Sequence, residues 1–316
     1  TKISKGNSAS FFDGYMAEVN FIDGQALAAS DFGEFDEDSG IWKPIDASGL
    51  TFGNNGFYLD FEDSANLGND ANGGTDLTES NLAATDQATD TCTNNFATLN
   101  PVYKSLSQPT YTQGNLSSSA SGAGYRLSFS TIAVSTGKWY AEFYRAVGST
   151  DEVFIGISSL NDAETLFNVT DYYLGETAKS ISISSGNGKY YISASGTTYG
   201  SSYLGSGDII GVALDLTNKK LYASKNGAWS NGSGAWSSTT FNASTGAIDI
   251  SSIISSGEYA YIGFSNTGTS TVDANFGSPF YAISSGNADG DGFGNFEYAV
   301  PTGFFALCTK NLAEYG

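Results

Sequence analysis

Hydrophobic and polar residues alternate along the segment 207–227, which reads GDIIGVALDLTNKKLYASKNG. Successive side chains of a β-strand point to opposite sides, so one face of the first half collects the apolar residues Ile210, Val212, Leu214 and Leu216. Alternation resumes after a turn at Thr217-Asn218, and Asn226-Gly227 tolerates the left-handed backbone that tight turns require. The pattern predicts a β-hairpin with one buried face, followed by a second turn.

Similar alternation predicts short strands along most of the chain. They lie at 11–22, 41–44, 56–61, 125–129, 138–147, 153–158, 189–194, 209–216, 220–225, 259–265 and 271–276, with one or two more over 296–307. Apolar residues never keep helical spacing over three turns, and no stretch approaches the ~18 consecutive apolar residues of a membrane span. We therefore predict an all-β fold, an antiparallel β-sandwich preceded by a smaller β-rich segment, without membrane insertion.

Composition divides the chain into four predicted segments. Residues 1–63 form the smaller β-rich segment, and residues 64–113 are an irregular linker rich in Asn, Thr and Gly. Residues 114–283 hold enough strands for two sheets, and residues 284–316 provide a Gly/Asp turn and C-terminal strands. Because no signal-like apolar stretch follows Thr1, we expect this chain to be a piece of a longer or processed protein.

Charge and residue usage narrow the possible partners and chemistry. With 33 acidic and 13 basic residues the net charge is −20, which opposes binding to nucleic acid. This acidity fits either solubility in a salty medium or cation binding. The sequence has no histidine, which excludes Ser/His/Asp and Cys/His catalysis and histidine-ligated metals. Cys92 and Cys308 either form a long-range disulfide or remain two unpaired thiols.

Two stretches carry carboxylates that a hard cation prefers. Asn287, Asp289 and Asp291 with Gly292 match the first half of a calcium loop, but the twelfth position is Tyr298, so a Gly/Asp turn is the alternative. The acidic cluster 34–38 is either a solvated loop or a second calcium ligand set. Calcium is therefore the one cofactor that the sequence allows us to consider.

Four sequence motifs occur in an order that resembles SPRY domains. They are GKWYAEF at 137–143, VFIGIS at 153–158, the hairpin segment extended to 207–229, and YIGFSNTGTSTVDANFGSPF at 261–280. The resemblance covers 114–281 and implies a concanavalin A-like sandwich. The first segment resembles the closing strands of a laminin-G-like domain. The series of segments, ending in YAVPTGFFALCTKNL, is similar to a group of marine bacteriophage virion proteins.

The resemblance implies a non-enzymatic virion structural or adhesion protein, such as a tail-fibre or capsid decoration component. SPRY domains bind proteins through loops, and the corresponding aromatic candidates are Tyr172, Tyr173, Tyr199, Tyr203, Trp229 and Trp236. The two tryptophans lie in a Gly-rich stretch, where they either form a binding surface or close the end of the core. Expected partners are other virion proteins or a host-surface glycan or receptor, for a homo-oligomer at the virion surface.

Two other functions remain open from the sequence. Concanavalin-like folds also host glycoside hydrolases, which need two carboxylates across the scissile bond. The stretch 34–38, EFDED, resembles the E-x-D-x-E strand of laminarinase-like enzymes, but position 37 is charged and position 38 is Asp. A bacterial surface or filament subunit built from the same modules is the other alternative.

Overall fold

The structure is a computed structural model that describes residues 16–35, 42–88, 90–91, 93–104, 107–148, 152–167, 171–201 and 205–316. The chain forms two compact units, an N-terminal unit (Thr1–Thr93) and a C-terminal unit (Asn94–Gly316). The boundary between them falls inside the predicted linker 64–113. In the described residues no helix is both long and apolar enough to cross a membrane.

The N-terminal unit contains two small antiparallel sheets. Its strands are β1 (Val19–Phe21), β2 (Gly33–Phe35), β3 (Trp42–Pro44) and β4 (Phe57–Leu59), and 3-10 helices cover Ala29–Asp31 and Ala84–Asp86. β1 pairs with β4, and β2 pairs with β3. Ala47, Phe52 and Tyr58 form a small buried core. The strands predicted at 41–44 and 56–61 are confirmed in shorter form, whereas the predicted strand 11–22 begins only at Val19 among the described residues.

The C-terminal unit is a sandwich of two large sheets. Its elements are β5 (Leu99–Lys104), β6 (Thr110–Thr112), β7 (Ser117–Ser119), β8 (Arg126–Ser130), β9 (Lys138–Val147), β10 (Val153–Ser159), α1 (Leu160–Phe167), β11 (Ser180–Ser184), β12 (Tyr190–Ile192), β13 (Ser195–Thr197), β14 (Ile209–Asp215), β15 (Lys220–Lys225), β16 (Ala228–Ser230), β17 (Trp236–Ser238), β18 (Ile248–Asp249), β19 (Ala260–Asn266), β20 (Thr271–Asn275), β21 (Phe305–Ala306) and α2 (Thr309–Tyr315). Strands β5 and β6 lie in the segment predicted as an irregular linker, and they pair with β8 and β7 respectively. The polar composition of this segment gave no sign of the backbone pairing.

One sheet has seven strands in the order β13-β12-β11-β10-β19-β8-β5. The other has ten, in the order β17-β16-β15-β14-β9-β20-β7-β6, with β18 beside β15 and β21 parallel to β9. All pairings other than that of β21 are antiparallel. The predicted all-β antiparallel sandwich is therefore confirmed.

The main core lies between the inner faces of the two sheets. The ten-stranded sheet contributes Trp139, Phe143, Val212 and Leu214, and the seven-stranded sheet contributes Ile155, Ile181, Ile262 and Phe264. The hairpin predicted at 207–227 is confirmed as β14 and β15, with Val212 opposite Ala223. Asn226 and Gly227 both have left-handed backbone, with φ of 48° and 76°. The side chain of Asn226 accepts the backbone N–H of Ile209, the first residue of β14.

Residues 285–308, which we call the C-terminal layer, cover the outer face of the ten-stranded sheet. Phe296, Phe304 and Ala306 pack there against three side chains of the sheet, Tyr140, Ala213 and Tyr222. All of these side chains are at most 4% exposed. The strands expected over 296–307 reduce to the two-residue strand β21, and helix α2 follows it. The sheet thus has a second core on its far side.

Candidate binding surface

The outer face of the seven-stranded sheet carries five half-buried tyrosines, which we call the tyrosine face. They are Tyr125, Tyr172, Tyr173, Tyr191 and Tyr261, and they pack over Leu127, Phe129, Phe154, Leu166 and Leu174. Each tyrosine keeps part of its ring accessible to solvent. Aromatic rings held in this way combine an apolar body with a polar end, which suits them to binding.

Strand alternation explains how the sequence places these rings. In β10, Val153 and Ile155 point into the main core, so Phe154 between them points outward. In β19, Ile262 points inward and the preceding Tyr261 therefore points outward. Tyr172 and Tyr173 follow α1, whose Leu166 lies over the same face. Helix α1 was absent from the predicted elements because it is a single eight-residue segment between two strands.

Four of the aromatic rings, those of Tyr125, Phe154, Tyr173 and Tyr191, form one group of ring contacts. Tyr173 stacks on Phe154 with ring centroids 4.3 Å apart, and its ring lies 5.4 Å from that of Tyr125. Tyr191 meets Tyr173 edge to face at 6.0 Å, and Tyr261 lies 6.0 Å from Phe129. Aromatic pairs at these separations stabilise one another beyond simple burial. Tyr125, Tyr173 and Tyr191 are therefore packed against neighbouring rings.

Three carboxylates bond directly to this group. Glu152 accepts the Tyr125 hydroxyl at 3.0 Å, and Asp171 accepts the Tyr125 backbone N–H at 3.1 Å. Glu176 accepts the backbone N–H of Tyr173 at 3.1 Å. Burial raises the pKa of the Tyr125 and Tyr173 hydroxyls above their usual value, and the neighbouring carboxylates raise both further. The tyrosine face is thus an aromatic surface with a negative rim.

The six aromatic residues predicted as binding candidates have different environments. Tyr172 and Tyr173 belong to the tyrosine face, whereas Tyr203 lies outside the described residues. Tyr199 is only 1% exposed, and its hydroxyl donates to Gly246 O and accepts the N–H of Ala223. This side chain is part of the core and presents no ring to a ligand, which corrects its prediction as a binding residue.

The two tryptophans pack against different apolar clusters, Trp229 in the one under the C-terminal layer and Trp236 against the main core. Trp229 is 7% exposed and packs against Phe241 at 4.9 Å. Trp236 is half-buried and meets Tyr199 edge to face at 5.9 Å. The stretch expected to be a loop instead forms strands β16 and β17, whose pairing places both rings. Trp229 is therefore unavailable as a binding residue, while Trp236 keeps a partly exposed edge.

The predicted calcium loop is an internally bonded turn. Asp289 is 8% exposed, and its Oδ1 accepts the backbone N–H groups of Asp291 and Phe293. Its Oδ2 accepts the N–H of Ala306 and the side-chain amide of Asn311. These four donors occupy the directions that a cation would need. Among the described residues, no three or more Asp, Glu, Cys and His side chains are grouped so that they could hold a metal ion.

The flanking candidates take part in local contacts. Asn287 donates its side-chain amide to the carbonyls of Phe296 and Glu297, and Asp291 accepts the Tyr315 hydroxyl at 2.9 Å. These bonds close the turn that the sequence offered as the alternative to a calcium loop. Asn287 and Asp291 thus help to fix the C-terminal layer and α2.

The other carboxylate and cysteine candidates are described in part. Glu34 lies on β2 and pairs with Lys43 at 3.3 Å, while residues 36–38 of the acidic cluster lie outside the described part of the chain. Cys308 is buried, and Cys92 lies outside the described part as well. The two alternatives for the cysteines therefore stay a prediction.

A fully buried carboxylate, Glu142, joins the ten-stranded sheet to the C-terminal layer. Its Oε1 accepts the Tyr140 hydroxyl at 3.0 Å and the Tyr298 N–H at 2.9 Å, and its Oε2 accepts the Glu297 N–H at 2.9 Å. Burial raises the pKa of Glu142 to about 7, against the lowering effect of these hydrogen bonds. With no exposed atoms on this residue, a substrate has no access to its carboxylate.

Sequence reasoning missed three members of the tyrosine face and the role of Glu142. Tyr125, Tyr191 and Tyr261 are each placed at or next to a predicted strand, in positions that alternate with inward-facing residues. An aromatic residue at such an outward position was the signal that could have identified them. Glu142 also occupies an outward position, but nothing in its own strand indicates that a distant segment covers it.

Comparison with known proteins gives similarity to solved structures alone. No protein-family model matches the chain, and no curated protein matches it. Among solved structures, the SPRY domain of human HERC1 is similar, with a TM-score of 0.41 and 15% identity, covering 56% of this chain and 96% of that one. A human SPRY domain is similar with a TM-score of 0.36 and 16% identity, covering 56% of this chain and 98% of that domain.

Proposed function

We propose that this chain is a non-enzymatic structural or adhesion protein of a bacteriophage particle. In this proposal the C-terminal unit binds another virion protein or a host-surface molecule. The observation that carries the binding role is the tyrosine face, a set of half-buried tyrosines that pack on the outer face of the seven-stranded sheet. The bacteriophage context rests on the resemblance of the segment order to marine virion proteins.

The chemistry of the chain favours binding over catalysis. Without any histidine, the common nucleophile and base pairs are unavailable. The buried Glu142 is saturated by hydrogen bonds and sealed under the C-terminal layer, so it does not offer the accessible carboxylate pair of a glycoside hydrolase. Tyrosine, in contrast, supplies large contact area with little loss of conformational entropy on binding.

Localisation in the particle tests this proposal. We expect mass spectrometry of purified particles to detect the chain, and labelled antibodies against the C-terminal unit to decorate intact particles. We also expect the purified chain to compete with particles for adsorption to host cells if the role is adhesion, and to leave adsorption unchanged if it is structural. Absence of the chain from particles, or release of reducing sugar from host polysaccharide, would refute the proposal.

A further inference from the structure

We propose that the tyrosine face binds a basic segment of a partner protein, with Arg or Lys side chains lying over the rings and beside Glu152, Asp171 and Glu176. This inference rests on the proposed binding function and adds the chemistry of the partner. Two independent observations support it, the partial exposure of the tyrosines and the three carboxylates bonded to them.

The rings present the surface that a guanidinium or ammonium group prefers. A cation within about 6 Å of a tyrosine ring is attracted by the negative face of the ring. Tyr125, Tyr173 and Tyr191 form a contiguous group, with ring separations of 5.4 Å and 6.0 Å between successive members. Two or three basic side chains of one extended segment would therefore contact successive rings, and the sheet would not need to rearrange.

The charge around these rings is negative. Glu152, Asp171 and Glu176 each use one carboxylate oxygen for a bond to Tyr125 or Tyr173. Within the described residues, their other oxygens take part in no hydrogen bond or ion pair. Arg126, which follows Tyr125, directs its guanidinium to backbone carbonyls, including Ala123 O at 2.9 Å. Lys179, three residues after Glu176, donates its ammonium group to Ser252 O at 3.0 Å. Basic side chains of a partner would therefore form ion pairs with these three carboxylates.

The same rings could also stack against a sugar, but the three carboxylates favour a cation. A neutral glycan gains hydrogen bonds from carboxylates without neutralising their charge, whereas an arginine forms paired charge-assisted hydrogen bonds with them. Negative charge is also general to this chain, with a net charge of −20, so specific binding must be separated from general attraction to polycations.

The test uses the full chain and a labelled peptide, acetyl-GRGRGRG-amide, with the citrulline version as an uncharged control of the same shape. Binding is followed by fluorescence anisotropy at about 0.15 M salt, where the Debye length is about 8 Å and distant charges are screened. We expect the arginine peptide to bind at least tenfold more tightly than the citrulline peptide. NMR signals of Tyr125, Tyr173 and Tyr191 should shift during the titration.

Two variants with the same change in net charge locate the site. The face variant carries Glu152→Gln, Asp171→Asn and Glu176→Gln, and the control carries Glu62→Gln, Asp63→Asn and Glu314→Gln at exposed positions. We expect about tenfold weaker peptide binding for the face variant and less than a twofold change for the control. Circular dichroism and the thermal midpoint verify that both variants fold. If the face variant does not fold, the variant Tyr172→Ala provides a milder second test.

Equal losses in the two variants would reduce the effect to general electrostatics and overturn the proposal. Binding of the citrulline peptide as tight as that of the arginine peptide would overturn it too. Displacement of the signals by a neutral dextran oligosaccharide, with no effect of the arginine peptide, would assign the face to glycans. None of these results depends on where the chain is found in a particle, so failure here is distinguishable from failure of the proposed function.

Discussion

The two outer faces of the sandwich differ in how they are covered. On the ten-stranded sheet, the C-terminal layer buries Tyr140, Ala213 and Tyr222 so that each is at most 4% exposed. On the seven-stranded sheet, Leu166 of α1 and Leu174 are buried in the outer cluster, and the tyrosines packed against it are half-exposed. The outer face of the ten-stranded sheet is therefore part of a second core, whereas the outer face of the seven-stranded sheet is partly open to solvent.

This difference shows that similar outward-facing aromatic residues can have opposite roles. Tyr140 and Tyr191 both alternate with inward-facing core residues on their strands. Tyr140 donates its hydroxyl to the buried Glu142, whereas the Tyr191 hydroxyl accepts the side-chain amide of the exposed Asn187. What separates them is a segment more than a hundred residues away, which covers one of the two.

The largest effect that we expect comes from removing the anchor of the C-terminal layer. Asp289→Ala leaves four hydrogen-bond donors without their acceptor, and buried donors without partners cost about 1–3 kcal/mol each. Because the turn can relax toward solvent, we expect a loss of about 4 kcal/mol in the unfolding free energy. Urea denaturation at neutral pH measures this loss.

Asp291→Ala is the matched control in the same turn. This exposed residue accepts one hydrogen bond from Tyr315, so its removal should cost less than about 1 kcal/mol. We also expect calcium and a chelator to leave the thermal midpoint of the unmodified chain unchanged. Equal losses in the two variants, or a midpoint raised by calcium, would contradict the description of this turn as a structural anchor.

We expect a smaller effect from Glu142, which should make the unfolding free energy depend on pH. The pKa of this buried carboxyl rises from the usual 4.5 to about 7 in the folded protein, so the folded protein binds a proton more tightly than the unfolded chain over this interval. The contribution of Glu142 to stability is therefore largest below pH 4.5 and decreases as the pH rises to about 7. The decrease amounts to about 3 kcal/mol.

Glu142→Gln cannot titrate, so it isolates this contribution. We expect the unfolding free energy of the unmodified chain to fall relative to that of the variant between pH 4.5 and 7, and the difference to stay constant above pH 8. Urea titrations at fixed ionic strength give both curves. Parallel curves over the whole interval would show that this carboxyl keeps its usual pKa.

The smallest effect on stability should come from the tyrosine face. Tyr172 is half-buried and lies at the edge of its cluster, so Tyr172→Ala should cost about 1 kcal/mol, well below the ~3–5 kcal/mol of a fully buried aromatic residue. Phe296→Ala, which truncates a fully buried ring on the covered face, is the matched variant for which we expect that larger loss of stability. Thermal unfolding of the two variants side by side compares the faces directly, and similar midpoints would remove the distinction.

The sequence predicted those elements whose formation depends on residues close together in the chain. The β14–β15 hairpin was predictable because alternation and the Asn226-Gly227 turn are local signals, and the same holds for the long strand β9. The C-terminal layer was not predictable, because the strands predicted over 296–307 do not indicate that Phe296 and Phe304 pack on the outer face of the ten-stranded sheet. The contacts that bury them lie far away in the chain.

The candidate site shows the same limit. Asp289 was correctly singled out as a carboxylate at the centre of a turn, but sequence cannot distinguish a carboxylate that binds a cation from one that accepts backbone N–H groups. Tyr199 looked like a loop aromatic, yet its ring is buried and its hydroxyl bridges β15 and the segment at Gly246. Tyr172 and Tyr173, predicted as loop residues, lie on the connection between α1 and β11, and what the sequence did not show is that they pack on the face of a sheet.

Hydroxyl-radical footprinting of the native chain, read by mass spectrometry, tests most directly whether the two faces differ. We predict that Tyr172, Tyr173 and Tyr191 are oxidised several times faster than Tyr140 and Tyr199, because only the first three expose part of their rings. Equal oxidation of the two groups, or faster oxidation of Tyr140, would contradict the account of one covered face and one open face.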